Sequence, residues 1–255
     1  MIILFFMVAI LKKKTFCIKG EMNMLQENYK TVQQKIRNAC NRCGREYSEV
    51  TLIVVGKTQS VEMLQKIYDL NHRDFGENKV QELMCKYEVM QKDIRWHLIG
   101  HLQQNKVKYI VDKTCLIHSI DSLRLAETIS KEAGKHNRTV PVLIEVNVSD
   151  EKSKFGVKVS ETLPLIETIS SLPGISIQGL MSIAPYVTNP QENRPVFKKL
   201  KKLSVDIENK NINNVTMNVL SMGMTNDYEV AIEEGATIVR VGTGIFGERY
   251  YKMQQ

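Results

Sequence analysis

The stretch from Thr51 to Leu70, TLIVVGKTQSVEMLQKIYDL, decides the fold, because a short apolar strand is followed at once by an amphipathic helix. Residues 51–55 are β-branched or aliphatic, which is typical of a strand buried on both faces. Gly56 ends the run, and from residue 60 to residue 70 the apolar side chains recur at helical spacing. If this strand–helix unit repeats along the chain, it predicts a parallel sheet covered by helices.

The unit does repeat, and no linker interrupts the repeats. The predicted strands are residues 51–56, 73–78, 95–100, 115–121, 141–148 and 175–184, then 215–223 and, together with its loop, 237–247. Predicted helices separate them, and one more amphipathic helix, from Met24 to Arg45, precedes the first strand. This α/β pattern in about 250 residues predicts a single (β/α)8 TIM barrel with an extra N-terminal helix. A doubly wound open sheet is the alternative.

Composition and charge narrow the range of partners. The chain has 255 residues, of which 43% are hydrophobic and 25% are charged, as in ordinary soluble globular proteins. Its formal net charge is +7, but four lysines and one glutamate in residues 1–21 supply +3 of it. The remainder is too weakly basic to favour nucleic acid, so we predict no such partner.

The five cysteines are an odd number, which favours reduced thiols and a cytoplasmic location. The single pair Cys40–Cys43 has no second pair with which to form a zinc site, so we predict no metal.

The first residues differ from the rest of the chain. The apolar run from Met1 to Leu11 is too short to cross a bilayer, and its lysines follow the apolar part, unlike those of a signal peptide. We predict that residues 1–23 are a non-native or disordered extension, with translation starting at Met22 or Met24. Residues 24–255 are then the barrel domain, without a membrane partner. A membrane-associated N-terminus is the alternative.

Lys57 stands at the end of the first predicted strand, where barrels of this kind place their functional residues. Such a lysine either extends its ammonium into solvent or acts as a nucleophile toward an aldehyde. At the ends of the seventh and eighth strands stand Ser221 and the glycine-rich segment VGTGIFG, residues 241–247. Phosphate sites commonly occur at these two positions of the barrel, although tight turns without a ligand would give the same pattern.

Arg240 completes the candidate site. Val239 and Val241 suit the layer beneath the helices, so strand alternation turns Arg240 toward the barrel interior. A buried guanidinium needs either an interior carboxylate or an acceptor on a bound ligand. A lysine that faces a phosphate loop predicts a phosphorylated aldehyde, and pyridoxal 5′-phosphate (PLP) is the common cofactor of this type.

Several motifs together resemble one known family. They are VGKTQ, FGENKVQE, WHLIGHLQQNK, HSIDS, VNVSDEKSKFG, GLMSIAP and LSMGMTNDYEVAIEEGATIVRVGTGIFG. Over about residues 24–250 the sequence is similar to the pyridoxal phosphate homeostasis proteins, the YggS/PROSC family. The resemblance implies a barrel of the alanine racemase N-terminal-domain type. It also implies a cytoplasmic monomer that carries or buffers PLP for vitamin B6 and amino-acid homeostasis, without robust turnover, with PLP-dependent apo-enzymes as possible recipients.

The resemblance also assigns roles to individual residues. It implies that Lys57 forms a Schiff base with PLP, that Ser221 and the backbone of Gly242 and Thr243 hold the phosphate, and that Arg240 lies by the pyridine nitrogen. An arginine there leaves the ring unprotonated and makes it a weaker electron sink. Asn78 and Met222 are expected to line the same pocket. The alternatives are a weak PLP-dependent amino-acid racemase using Lys57 and a cofactor-free class I aldolase-like lyase.

Overall fold

The computed structural model describes residues 24–151 and 153–247. The prediction of a non-native or disordered extension concerns residues 1–23 and lies outside the described residues. Within the described residues, no helix is long and apolar enough to cross a bilayer.

Eight parallel strands form a closed barrel. They are β1 Thr51–Val55, β2 Asp74–Glu77, β3 Arg95–Leu98, β4 Thr114–Ile120, β5 Val140–Asn147, β7 Ile175–Met181, β8 Val215–Met224 and β9 Ile238–Val241. Their order is β4-β3-β2-β1-β9-β8-β7-β5, and β4 also pairs with β5, which closes the sheet. The two-residue strand β6, Val157–Lys158, pairs with the end of β5. The predicted TIM barrel is therefore confirmed, and the open sheet is wrong.

Helices cover the outside of the barrel. They are α1 at 24–42, α2 Val61–Tyr68, α3 Val80–Val89, α4 Val107–Ile110, α5 Leu123–Lys135, α6 Val159–Ile169, α7 Arg194–Glu208, α8 Tyr228–Glu233 and α9 Thr243–Phe246. The predicted N-terminal helix is present as α1. It buries Leu25, Tyr29, Val32 and Ile36, which recur every three or four residues on one face.

Two predicted elements have different bounds in the structure. The helix expected over residues 104–113 is a short 3₁₀ turn followed by the single α-helical turn α4, which is enough to bury Val107 and Ile110. Residues 237–247 were expected to hold the last strand and its loop, and the strand ends at Val241. Gly242 then turns the chain into α9, so the segment expected as a loop contains a short helix.

One group of apolar side chains packs inside the barrel. Its members are Ile53, Ile99, Leu116, Leu143, Met181 and Ile238. Gly76 lies against this group, because a Cβ at that position would come within 2.6 Å of the Ile53 Cγ2 atom. Buried polar side chains share the barrel interior with this group, and the candidate site lies where the strands end.

Candidate functional site

A cavity of about 290 Å³ opens at the C-terminal ends of the barrel strands. Its size is near the lower end of the range of roughly 300–1,000 Å³ that is usual for small-molecule sites. Five of the seven predicted site residues line it, namely Lys57, Asn78, Arg240, Gly242 and Thr243. The barrel topology thus brings together residues that are up to 186 positions apart in sequence.

Lys57 lies in a tight turn immediately after β1. The turn is closed by a hydrogen bond of 2.8 Å from the Gln59 N–H to the Gly56 carbonyl oxygen. Thr58 has a φ of 63°, which is rare for a β-branched residue, and its N–H donates to Glu82 Oε2 at 2.7 Å. Lys57 itself is half-buried and lines the cavity. Among the described residues it forms no ion pair, so no carboxylate there holds its side chain.

A buried ion pair supports this turn from below. Lys86 of α3 donates from Nζ to Glu77 Oε1 at 2.6 Å and to the Gly56 carbonyl oxygen at 2.8 Å. Burial raises the pKa of Glu77 to about 7, although the Lys86 ammonium opposes that change. Gly56 has no room for a side chain, because a Cβ would lie 2.4 Å from Glu77 Oε1. The fully buried lysine of this region is thus Lys86, and it leaves Lys57 free to point into the cavity.

The glycine-rich segment forms the opposite wall. Gly242 is the residue before α9, and its carbonyl oxygen accepts from the N–H groups of Ile245 and Phe246 at 2.9 and 3.0 Å. Two contacts fix this turn: the Gly244 N–H donates to Thr225 Oγ1 at 3.2 Å, and Asn28 Nδ2 of α1 donates to the Ile245 carbonyl oxygen at 3.1 Å. The Thr243 N–H has no hydrogen-bond partner among the described residues, so it is the backbone donor of this turn that suits an anionic group.

Arg240 is buried at the base of the cavity, as strand alternation predicts. Its Nη1 donates to Ser221 Oγ at 2.6 Å, and its Nη2 donates to the Ser182 carbonyl oxygen at 3.0 Å. Burial lowers the pKa of Arg240 to about 10, while Glu145 and Asp227 favour its charged form. A guanidinium has five N–H donors, and these two bonds use only part of that set. Arg240 can therefore donate to an acceptor on a ligand as well.

The structure places two of the predicted site residues away from the cavity wall. The Ser221 side chain is fully buried, with its hydroxyl between Arg240 and Nδ1 of His118, which is 2.9 Å away. Met222 faces outward and packs in the apolar layer between the barrel and the helices, because neighbouring strand residues face opposite sides. Met224 and Thr225 of the same segment line the cavity instead.

Other lining residues were not identified from the sequence. They are Val55, Gln59, Ile99, Ile183, Tyr186, Asn226 and Gly247 in addition to Met224 and Thr225. Thr225 and Asn226 lie within a motif that carries the family resemblance, so that motif was the available signal. Tyr186 stands on a loop with 93% of its surface exposed, and no sequence pattern marks it.

Glu145 on β5 is buried near Arg240, and one of its oxygens, Oε2, has no hydrogen-bond partner within the described part of the chain. Burial and the carboxylate of Asp121 raise the pKa of Glu145 to about 7, against the opposing charge of Arg240. A raised pKa means that the folded protein binds this proton more tightly than the unfolded chain does. The stability that it contributes is complete below pH 4.5 and is lost as the pH rises toward 7.

We therefore expect Glu145→Gln to gain stability relative to the wild type as the pH rises from 5 to 8, by about 2–3 kcal/mol in the free energy of unfolding. Urea denaturation at several pH values measures this difference. Glu167→Gln, at an exposed position of α6, is the control and should follow the wild type at every pH. A constant difference between Glu145→Gln and the wild type would contradict the prediction.

Comparisons with known proteins identify the relatives of this chain. Residues 22–250 match the family model described as alanine racemase, N-terminal domain. The pyridoxal phosphate homeostasis protein of Aquifex aeolicus is 46% identical over 226 residues, which are 88% of this chain and 98% of that protein. PipY of Synechococcus elongatus, solved with PLP bound, is 32% identical with a TM-score of 0.71, over 84% of this chain and 99% of PipY.

An alanine racemase from Clostridium difficile has a similar barrel but a much less similar sequence. Its structure has a TM-score of 0.69 at 13% identity, and the match covers 90% of this chain but 58% of the racemase. At this identity the likeness concerns the barrel alone. The matches to the family model and to full-length relatives are far closer, and by them the chain belongs to the alanine racemase N-terminal-domain family and, within it, to the pyridoxal phosphate homeostasis proteins.

Proposed function

We propose that this chain binds PLP through a Schiff base on Lys57 and carries or buffers the cofactor. The observation that carries the proposal is that Lys57, Arg240 and the start of α9 all line one cavity. These groups match the three recognisable parts of PLP: an aldehyde, a ring nitrogen and a phosphate. The names of the relatives and the PLP-bound structure of PipY support the same assignment.

Each residue has a distinct task in this proposal. Lys57 supplies the amine, and the backbone N–H groups around Gly242 and Thr243 receive the phosphate. Arg240 donates a hydrogen bond to the pyridine nitrogen, and Asn78 forms part of the cavity wall. When bound, PLP supplies an aldehyde that condenses with an amine, releasing water, and that can pass to another amine. Thr225, whose Oγ1 already accepts from the Gly244 N–H, supports the phosphate end.

The residue that we place beside the ring nitrogen favours carrying PLP over catalysing a reaction with it. Arg240 keeps a positive charge at this position and presents only N–H donors, so it does not favour a protonated ring. An unprotonated ring withdraws electrons weakly and gives little stabilisation to a carbanion. The names of the relatives describe homeostasis proteins and fit this role.

We further propose that the recipients are PLP-dependent apo-enzymes and that the protein acts as a cytoplasmic monomer. Thiols that remain free favour a reducing compartment, and the described residues include four of them: Cys40, Cys43, Cys85 and Cys115. The half-buried position of Lys57 at an open cavity favours direct transfer of the cofactor to another amine.

The purified protein with added PLP should have a visible absorption band that borohydride bleaches. Peptide mass mapping after reduction should then find one phosphopyridoxyl group, on Lys57. An assay for deuterium exchange at Cα of amino acids separates a carrier from a racemase, because only a racemase releases and returns that proton in many cycles. A protein that stays colourless at saturating PLP would overturn the proposal.

A further inference from the structure

A chain of buried polar side chains crosses the barrel interior from the cavity toward the opposite end. Its members are Arg240 on β9, Ser221 on β8, His118 on β4, His97 on β3 and Asp74 on β2. The Arg240 Nη1 to Ser221 Oγ distance is 2.6 Å, and Ser221 Oγ lies 2.9 Å from His118 Nδ1. His118 Nε2 lies 3.1 Å from His97 Nδ1, and His97 Nε2 lies 3.3 Å from Asp74 Oδ1. All five residues are at most 8% exposed.

Asp74, at the far end of this series of side chains, is ionised. Burial opposes the ionisation of Asp74, but hydrogen bonds from His97 and Arg95 hold the pKa of Asp74 well below its ordinary value. Arg95 Nε donates to Asp74 Oδ1 at 2.7 Å. Asp74 is therefore a carboxylate, which can only accept hydrogen bonds. The proton between Asp74 and His97 must then reside on His97 Nε2.

The direction of the remaining bonds follows one step at a time. A neutral imidazole carries one proton, so His97 with Nε2–H accepts at Nδ1 and takes a hydrogen bond from His118 Nε2–H. His118 in turn accepts at Nδ1 and takes the hydroxyl proton of Ser221. Ser221 Oγ is then left as the acceptor for Arg240, whose nitrogens can only donate. Every donor in the chain thus points away from the cavity.

Burial favours the neutral form of His118, which this order requires. It lowers the pKa of His118 well below its ordinary value, and the positive charge of Arg240 on β9 acts in the same direction. A proton added to His97 would reverse the order, because His118 would then donate from Nδ1 to Ser221. Ser221 would accept from both His118 and Arg240, and its own proton would lose its partner in the chain.

We propose that Ser221, His118 and His97 are positioning residues that hold the guanidinium of Arg240 in one orientation at the base of the cavity. Ser221 is committed to this task, since its proton goes to His118 and its oxygen accepts from Arg240. The proposal concerns the protein's own hydrogen bonds and goes beyond PLP binding. It rests on the proposed function only where it states what Arg240 contacts.

Long-range ¹H–¹⁵N spectra of the ¹⁵N-labelled protein without cofactor read the protonation of each ring nitrogen directly. The protein has five histidines in all, and single His→Asn variants assign their signals. We expect both His97 and His118 to carry a proton on Nε2, and His118 to carry none on Nδ1. A His118 with its proton on Nδ1, or a His118 imidazolium, would overturn the proposed order. This result does not depend on whether the protein binds PLP.

The second measurement is the effect of Ser221→Ala on PLP binding. The variant removes the acceptor that holds Arg240, so we expect PLP affinity to fall at least about tenfold, because hydrogen bonds to charged groups contribute this much. We also expect the His118 Nδ1 signal to shift. Ser119→Ala is the matched control, since it removes an equally buried hydroxyl of β4 that donates to the Gly100 carbonyl oxygen at 2.7 Å.

Equal PLP affinities of the two variants would contradict the positioning role of Ser221. If the wild type itself fails to bind PLP, the proposed function is wrong. The protonation states of the two rings still show in which direction the hydrogen bonds run. The two failures are therefore distinguishable in one set of samples.

Discussion

Lys57→Ala will give a protein that remains colourless with PLP and forms no borohydride-stable adduct. The reason is chemical, because alanine has no amine with which an aldehyde can condense. The lysine is half-buried in a turn that the rest of the fold holds in place, so its replacement should leave the barrel folded. Visible absorption and intact mass after reduction measure the loss, which should be complete at the concentration where the wild type is saturated.

Two controls keep this result specific to Lys57. Lys198→Ala changes a solvent-exposed lysine of α7 and should retain the full band and a single adduct. Far-ultraviolet circular dichroism checks that Lys57→Ala is folded. A phosphopyridoxyl group that still reaches full occupancy on another lysine would show that Lys57 is not the anchor.

Lys86→Met is expected to cause the largest loss of stability. It removes the ammonium that donates to Glu77 and to the Gly56 carbonyl oxygen, and it leaves a carboxyl group of zero exposure without its partner. Breaking a buried ion pair in this way costs about 3–5 kcal/mol. Because burial already raises the pKa of Glu77 to about 7, the carboxyl can take up a proton, so we expect the lower end of this range. Urea denaturation measures the free energy of unfolding.

A double-mutant cycle tests the cause. Glu77→Gln combined with Lys86→Met replaces both charges, and the loss should be smaller than the sum of the two single losses by at least about 1 kcal/mol. Lys198→Met, on the exposed face of α7, should change stability by less than about 0.5 kcal/mol. Strict additivity of the two single variants would rule out the ion pair as the source of the effect.

The sequence was sufficient for those parts of the site that follow from regular strands. Lys57 and Arg240 were predicted because a strand end and strand alternation each specify a direction for the side chain. The order of strands and helices was predicted for the same reason. Apolar runs and helical spacing are local patterns, and closure of the barrel follows once eight such units occur in succession.

The expectation that Met222 lines the cavity came from the family resemblance, and the backbone around this residue is irregular. The pairing of β8 with β9 shifts its register between Ser221 and Met224, and Gly223 has a φ of 89°. Alternation places Met222 in the outer core next to the inward-facing Ser221, and it fails between Met222 and Met224, so that Met224 reaches the cavity. No rule based on spacing reveals such a shift, since it depends on the contacts of two strands.

Long-range pairing explains the residues that the sequence did not reveal. Lys86 lies in the middle of a helix, where a lysine is ordinarily solvated, and only the fold places it against Glu77 and Gly56. His118 likewise stands 103 positions from Ser221, its partner in the barrel interior. Such polar partners are specified by the packing of whole elements, and no local pattern encodes them.

The unusual backbone of Thr58 bears on how the neighbouring lysine is held. A β-branched residue with a φ of 63° costs of order 1–3 kcal/mol, whereas glycine adopts this conformation freely. The chain thus has less than its maximal stability beside the lysine that we propose as the anchor. The core of the barrel offsets this local cost. A branched residue is also stiffer than glycine, so the backbone beside the amine keeps one direction between the arrival of one cofactor molecule and the next.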